Sequence, residues 1–252
     1  MNSRDYIAVF DSGVGGISVL RHLLRVLPDE RYLYFGDSAN APYGTKTKEQ
    51  VKNLTFAAAE KLMERGIKAL VVACNTATSA AINDLRQAYP ELIVIGIEPA
   101  LKLAADRFPG GNLGVMATPM TLREEKFARL MERFAHSGTI HKIPAPGLVE
   151  LIESGKADSP ETDALLRQLF APYENLDALV LGCTHYPFAA PSLKRVLGES
   201  VALLDGGDGT ARETRRRLAE TDLLYGGPGE LIIENSANRP ELLELSRLLL
   251  EK

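Results

Sequence analysis

The chain has 252 residues, 45% of them apolar and 25% charged, and 29 basic residues against 33 acidic ones leave a net charge of −4. That length is ample for a sizeable core in one large or two small domains, and the charge balance argues against nucleic acid as a partner. No apolar run approaches the ~20 residues of a bilayer span and no signal-like stretch precedes the first strand pattern, so a cytoplasmic protein with reduced thiols and no membrane partner is expected.

Short apolar runs alternate with longer amphipathic ones. Strands are predicted at 7–10, 32–35, 67–73, 92–97, 113–117, 139–143, 177–182, 201–204 and 231–234. They read as continuous rather than alternating in polarity, which suits a sheet covered on both faces. After the first, Ile17, Leu20, Leu23, Leu24 and Leu27 form one helical stripe that Pro28 ends. Thr47-Lys48-Glu49-Gln50 and Thr121-Leu122-Arg123-Glu124 read as capping boxes, and Gly66 as a left-handed helix stop. Arg215-Arg216-Arg217 reads as a solvated helix face, and Asn238 with Pro240 and Glu241 opens the last helix. This alternation predicts parallel sheets with right-handed crossovers.

The chain also repeats itself. Residues 69–74 (ALVVAC) match 178–183 (ALVLGC), and the only two cysteines, Cys74 and Cys183, fall at the same point of each copy. Residues 7–12 match 113–118 upstream, and 93–95 match 202–204 downstream. Three pairs in one order at nearly one offset imply two similar halves. The expected fold is α/β: two similar parallel-sheet domains related by pseudo-twofold symmetry, with the active site in the cleft between them. One domain is expected over 1–97 plus 208–252, the other over 98–207.

Ligands of open parallel sheets bind beyond the carboxyl ends of the strands. The suggestive residues gather there: Asp11-Ser12-Gly13, Gly36-Asp37-Ser38, Cys74-Asn75-Thr76, Thr118 and Cys183-Thr184-His185. A thiol at a strand-to-helix turn meets the positive end of the next helix, which favours the thiolate, although a free cysteine is also a good small core residue. Two cysteines at equivalent positions, each followed by a polar pair, favour chemistry over packing. The glycine-rich Asp11–Gly16 loop has the spacing of neither a dinucleotide fingerprint nor a phosphate loop. No metal site is expected, since the four histidines do not sit at ligand spacing. Tyr43, in the turn Pro42-Tyr43-Gly44, either stacks on a ligand or packs. His185 can relay protons to Cys183. Glu150 and Glu153 share one helix face and as an isolated pair read as solvated surface.

Four motifs together resemble the aspartate/glutamate racemase family, and within it the glutamate racemases: Phe10-Asp11-Ser12-Gly13-Val14-Gly15-Gly16, Ala41-Pro42-Tyr43-Gly44, Ala73-Cys74-Asn75-Thr76-Ala77, and Leu181-Gly182-Cys183-Thr184-His185-Tyr186-Pro187. The resemblance spans nearly the whole chain. It implies cofactor-independent interconversion of L- and D-glutamate, the latter a cell-wall building block. It gives Cys74 and Cys183 the roles of paired acid and base, Cys74 serving the D-enantiomer and Cys183 the L-enantiomer. It has Asp11 assist Cys74, and has His185 and Glu153 assist Cys183, with Glu150 as the alternative carboxylate one turn earlier. Ala145-Pro146-Gly147-Leu148-Val149-Glu150 departs here from the family's pattern, which carries a proline where Glu150 stands. Substrate contacts are implied for Asp11, Ser12, Tyr43, Gly44, Asn75, Thr76, Thr118, Thr184 and His185. A small-molecule substrate and no cofactor are therefore expected, and a homodimer is compatible with this reading. Aspartate racemisation by the same chemistry, a Cys-His thiol hydrolase and a non-catalytic amino-acid binding module are the alternatives.

Overall fold

The computed structural model describes residues 1–98, 100–123, 125–134 and 138–251. Two units emerge, one formed by Met1–Glu98 with Gly207–Lys252 and the other by Pro99–Gly206. All nine predicted strands form, as β1 (Tyr6–Asp11), β2 (Arg31–Gly36), β3 (Ile67–Val72), β4 (Ile93–Gly96), β5 (Gly111–Ala117), β6 (Gly138–Pro144), β7 (Ala178–Leu181), β8 (Ala202–Asp205) and β9 (Glu230–Asn235).

The first unit holds a sheet in the order β4-β3-β1-β2-β9, the second a sheet in the order β6-β5-β7-β8. Every described pairing is parallel. Read from the other edge, the second sheet runs β8-β7-β5-β6, the same order as β4-β3-β1-β2. The sequence repeat is thus a repeat of topology, with β1 and β5 in corresponding places. The interior strands β3 and β7 are buried along their length, whereas the edge strands β6 and β9 carry half-buried and exposed positions. Continuous apolar character therefore marks the strands that have helices over both faces.

In the first unit Ile17, Leu20 and Leu23 bury their stripe on helix Ile17–Val26, with Leu24 at its half-buried flank. The first capping box forms: Gln50 N donates to Thr47 Oγ1 at 3.3 Å, and Thr47 N donates to Gln50 Oε1 at 3.0 Å. Gly66, at φ +75°, leaves helix Lys48–Met63 in the left-handed region. Two boundaries differ from expectation. Helix Pro119–Arg123 is capped by Thr118, whose Oγ1 accepts from Thr121 N at 3.3 Å, so Thr121 lies inside the helix; the Glu124 of the expected box lies outside the described residues. The last helix starts at Pro240, so Arg239 rather than Asn238 precedes it. Arg215 and Arg216 are exposed on helix Gly207–Glu220, as a solvated face requires.

A buried ion pair ties the returning C-terminal segment to the base of the first sheet. Lys68 Nζ donates to Glu30 Oε2 at 2.5 Å, to Ser3 O at 2.6 Å and to Leu223 O at 2.8 Å, while Tyr225 N donates to Glu30 Oε1 at 2.9 Å. Burial lowers the Lys68 pKa from its ordinary value, against the pull of Glu30. Desolvating two charges is tolerated here because hydrogen bonds to three residues, on the N-terminal stretch and on the 223–225 segment, surround them.

Candidate active site

In the first unit β1 and β3 are neighbours, so their carboxyl ends lie side by side at the middle of the sheet. β1 delivers Asp11 and Ser12, and β3 delivers Cys74. Ser12 Oγ stands 3.4 Å from Cys74 Sγ. Cys74 also caps helix Asn75–Ala88, its sulfur accepting from Ala77 N at 3.5 Å. That contact, at the positive end of a helix, favours negative charge on sulfur. Asp11 is fully buried, and its Oδ1 accepts from Gly13 N at 3.0 Å. Thr76 is buried in the first turn of the same helix.

Asn75 is the one side chain among the described residues whose buried polar atom, Nδ2, lacks a hydrogen-bond partner. Leaving a buried donor unmade is unfavourable by about 1–3 kcal/mol. Next to a thiol and a seryl hydroxyl, such a donor is suited to a ligand oxygen.

Tyr43 is buried and packs against Phe10, with ring centroids 6.3 Å apart. Its hydroxyl donates to Asp37 Oδ2 at 2.7 Å, and both Asp37 oxygens accept from Asn40 Nδ2 at 3.1 Å. Burial first, then the bond to Asp37, raises the Tyr43 pKa, with Cys74 and Asp11 adding to the effect. The phenol therefore stays neutral. Asp37 had no assigned role in the sequence. Its signal was there: it is the first residue beyond β2, next to the rung where Asp11 ends β1 opposite Gly36.

A methyl group at Gly16 would stand 2.6 Å from Asp11 Cβ and 3.1 Å from Tyr34 Cε2. Gly16→Ala is expected to lower stability by about 1–3 kcal/mol, because the buried Asp11 has nowhere to retreat. A urea titration should show a lower midpoint at unchanged slope; an unchanged midpoint would reject the close approach.

In the second unit β5 and β7 are the corresponding neighbours. Thr118 follows β5, its Oγ1 3.0 Å from Thr121 Oγ1. Gly182 leads out of β7 with its N donating to Met116 O at 2.7 Å, and Cys183, Thr184 and His185 follow, all buried. His185 Nδ1 lies 3.8 Å from Cys183 Sγ, and its Nε2 lies 2.9 Å from Glu153 Oε1. Glu153, at the end of helix Leu148–Glu153, is therefore the carboxylate that meets His185. Glu150 acts instead on the buried Tyr186, whose pKa is raised by burial and then by the charges of Cys183 and Glu150. For His185, burial opposes the charged form, but the bonds to Cys183 and Glu153 outweigh it and hold the pKa well above the ordinary histidine value. An imidazolium there donates to the thiolate with one nitrogen and to the carboxylate with the other.

Each sheet thus presents one cysteine at the same topological point, and each sulfur has a polar partner of its own. A sequence profile of the Asp/Glu/hydantoin racemases matches residues 9–214. This chain belongs to that racemase family. It is 49% identical over 249 residues to a glutamate racemase of Clostridium botulinum, covering 97% of this chain and 96% of that one. Among solved structures it is similar to a glutamate racemase isoform of Bacillus anthracis, at 30% identity and TM-score 0.90, covering 100% of this chain and 96% of the other. It is also similar to the Escherichia coli glutamate racemase crystallised with L-glutamate and the activator UDP-MurNAc-Ala, at 32% identity and TM-score 0.88, covering 98% and 95%. Family membership makes the chain an isomerase. Among the described residues no group of three or more His, Cys, Asp or Glu is gathered at metal-binding spacing, and no helix is long and apolar enough to cross a membrane.

Proposed function

We propose that this racemase interconverts L- and D-glutamate in the cytoplasm by two-thiol proton transfer without a cofactor, supplying D-glutamate for peptidoglycan. The observation that carries the reading is the pair of cysteines at corresponding strand ends of two sheets with one strand order. The two-thiol reaction requires the substrate α-carbon to lie between the two sulfurs, one on each face of the carbon. One thiolate takes the α-proton and becomes a thiol. The opposite thiol gives its proton to the other face of the carbanion and becomes a thiolate. Protons and charge balance, and the enzyme ends in the mirror protonation state, ready for the reverse reaction.

Cys74 serves the D-enantiomer, with Asp11 assisting. Cys183 serves the L-enantiomer, with His185 and Glu153 assisting. Ser12, Asn75, Thr76, Thr118, Thr184, His185 and the Tyr43-Gly44 turn bind the substrate, and the orphaned amide of Asn75 supports that assignment. Acid–base transfer supplies about 10²–10⁴-fold, too little for so weak a carbon acid. The remainder is assigned to donors fixed where charge develops on the α-carboxylate: hydroxyls and backbone N–H groups at helix starts, in a site closed to water.

The test uses L-glutamate in D₂O with no added cofactor, following optical rotation and α-deuteration together. Both should change at matching rates, with kcat/KM for glutamate exceeding that for aspartate by about 10–200-fold, the range one methylene commands. Activity that requires added pyridoxal phosphate, or binding without exchange, rejects the proposal. Preference for aspartate rejects the substrate alone.

A further inference from the structure

The turn that carries Tyr43 and Gly44 is not held by its own strand alone. It is reached from β2 through Gly36, Asp37, Ser38 and Ala39, and three of these four are tied to the end of β9, some 200 positions later. β9 pairs with β2 in parallel, with Asn235 opposite Gly36. Beyond that last rung, Ser236 N donates to Gly36 O at 2.8 Å. Asn235 Nδ2 donates to Ser38 Oγ at 2.8 Å, and Ala39 N donates to Ser236 Oγ at 2.9 Å. Asn235 is fixed in its turn, since its Oδ1 accepts from Ala237 N at 2.9 Å. The held segment passes the constraint on: Asp37, between Gly36 and Ser38, accepts from Asn40 and from the Tyr43 hydroxyl. Among the described residues β9 has no counterpart in the second sheet, which ends at β6 on the equivalent side.

We infer that Asn235 and Ser236 are positioning residues for the Tyr43-Gly44 turn, so that the returning C-terminal segment belongs to the substrate-binding apparatus. The inference rests on the glutamate-racemase reading for its substrate, and on hydrogen bonds alone for the clamp. The turn is assigned to binding rather than to proton transfer. Loosening it removes contacts made equally in ground and transition states, which raises KM and spares kcat.

Two measurements on the full-length protein test this. Amide hydrogen exchange over residues 37–45 needs no substrate. It should quicken in Asn235→Ala and Ser236→Ala and stay at the wild-type rate in Glu230→Gln, which removes the charge that faces Arg31 and Tyr6 at the other end of β9. Kinetics with glutamate should then show KM raised about two- to tenfold in each alanine variant, the span expected for one hydrogen bond. kcat should hold within about twofold, Ser236→Thr should restore KM, and Glu230→Gln should change neither constant. Unchanged exchange in the turn overturns the clamp. Faster exchange with a wild-type KM, or losses in kcat and KM that Glu230→Gln reproduces, overturns the positioning role and leaves β9 a structural strand. Absence of glutamate turnover in the wild type would refute the substrate reading, and the exchange measurement would still judge the clamp.

Discussion

Cys74→Ser and Cys183→Ser should each reduce racemisation of glutamate by about 10²–10⁴-fold or more, in both directions. A two-base reaction needs one group as base and the other as acid in every turnover, so losing either stops both directions. Serine keeps the size and the hydrogen-bonding capacity of cysteine. What it loses is acidity, since a thiol ionises near pH 8.5 and an alcohol far above any working pH. The structure makes the substitution a clean one, because both cysteines are buried with fixed neighbours: Ser12 and Ala77 N at Cys74, His185 at Cys183. The variants should also differ from each other. With Cys74 intact, Cys183→Ser retains a base for the D-enantiomer alone and should exchange its α-hydrogen in D₂O without inversion. Cys74→Ser should do the same for the L-enantiomer. Nuclear magnetic resonance of the α-position combined with optical rotation reads both effects. Racemisation at the wild-type rate in either variant would end the two-thiol account.

The second large effect concerns the His185–Glu153 pair. His185→Asn should reduce kcat/KM for L-glutamate by about 10²-fold, because it removes the group that holds charge beside the Cys183 sulfur. Glu153→Gln is more diagnostic. The wild-type His185 pKa is raised by Cys183 and Glu153 in spite of full burial. Taking away the carboxylate removes one of the raising causes and leaves the opposing burial, so the pKa must fall. The alkaline limb of kcat/KM, where the imidazolium loses its proton, should therefore move to lower pH. Stability carries the same sign. A histidine whose folded pKa is raised stabilises the fold fully below its unfolded pKa, about 6.5, and that contribution is lost as pH rises through the folded value. Glu153→Gln should narrow this window from its alkaline side. Glu150→Gln should leave the limb in place, since Glu150 is not among the groups that shift His185. A limb that ignores Glu153 and follows Glu150 would reverse the assignment.

Much of this molecule was legible in one dimension. Most of the strands were readable because continuous apolar runs of four to seven residues between turn signals have few other uses in a chain this size, the edge strand β6 with His141 and Lys142 being the plain exception. The Thr47 cap was readable because its partners are three residues apart. The expected box at Thr121 was misplaced by one turn for a similar reason. Thr118 and Thr121 both offer a hydroxyl to a following N–H, and only the end of β5 at Ala117 decides between them. Asp37 went unassigned because its significance lies in the phenol of Tyr43 and the amide of Asn40, contacts that depend on how the loop folds back. The choice between Glu150 and Glu153 turned on one helical turn, a distinction that spacing on a shared face does not make.

The sequence by itself determined the repeat, the parallel α/β character and the placing of a thiol after the same strand of each half. These follow from local periodicity and from comparing the chain with itself, which need no knowledge of what lies across space. The tertiary structure decided which carboxylate meets His185, what holds Tyr43, and that the last strand returns to clamp the turn after β2. Those are contacts between segments 32 and about 200 residues apart in the case of Glu153–His185 and Ser38–Asn235. Such pairings are selected by the packing of whole sheets and helices, and hydrogen-bond geometry then discriminates between groups that look alike along the chain.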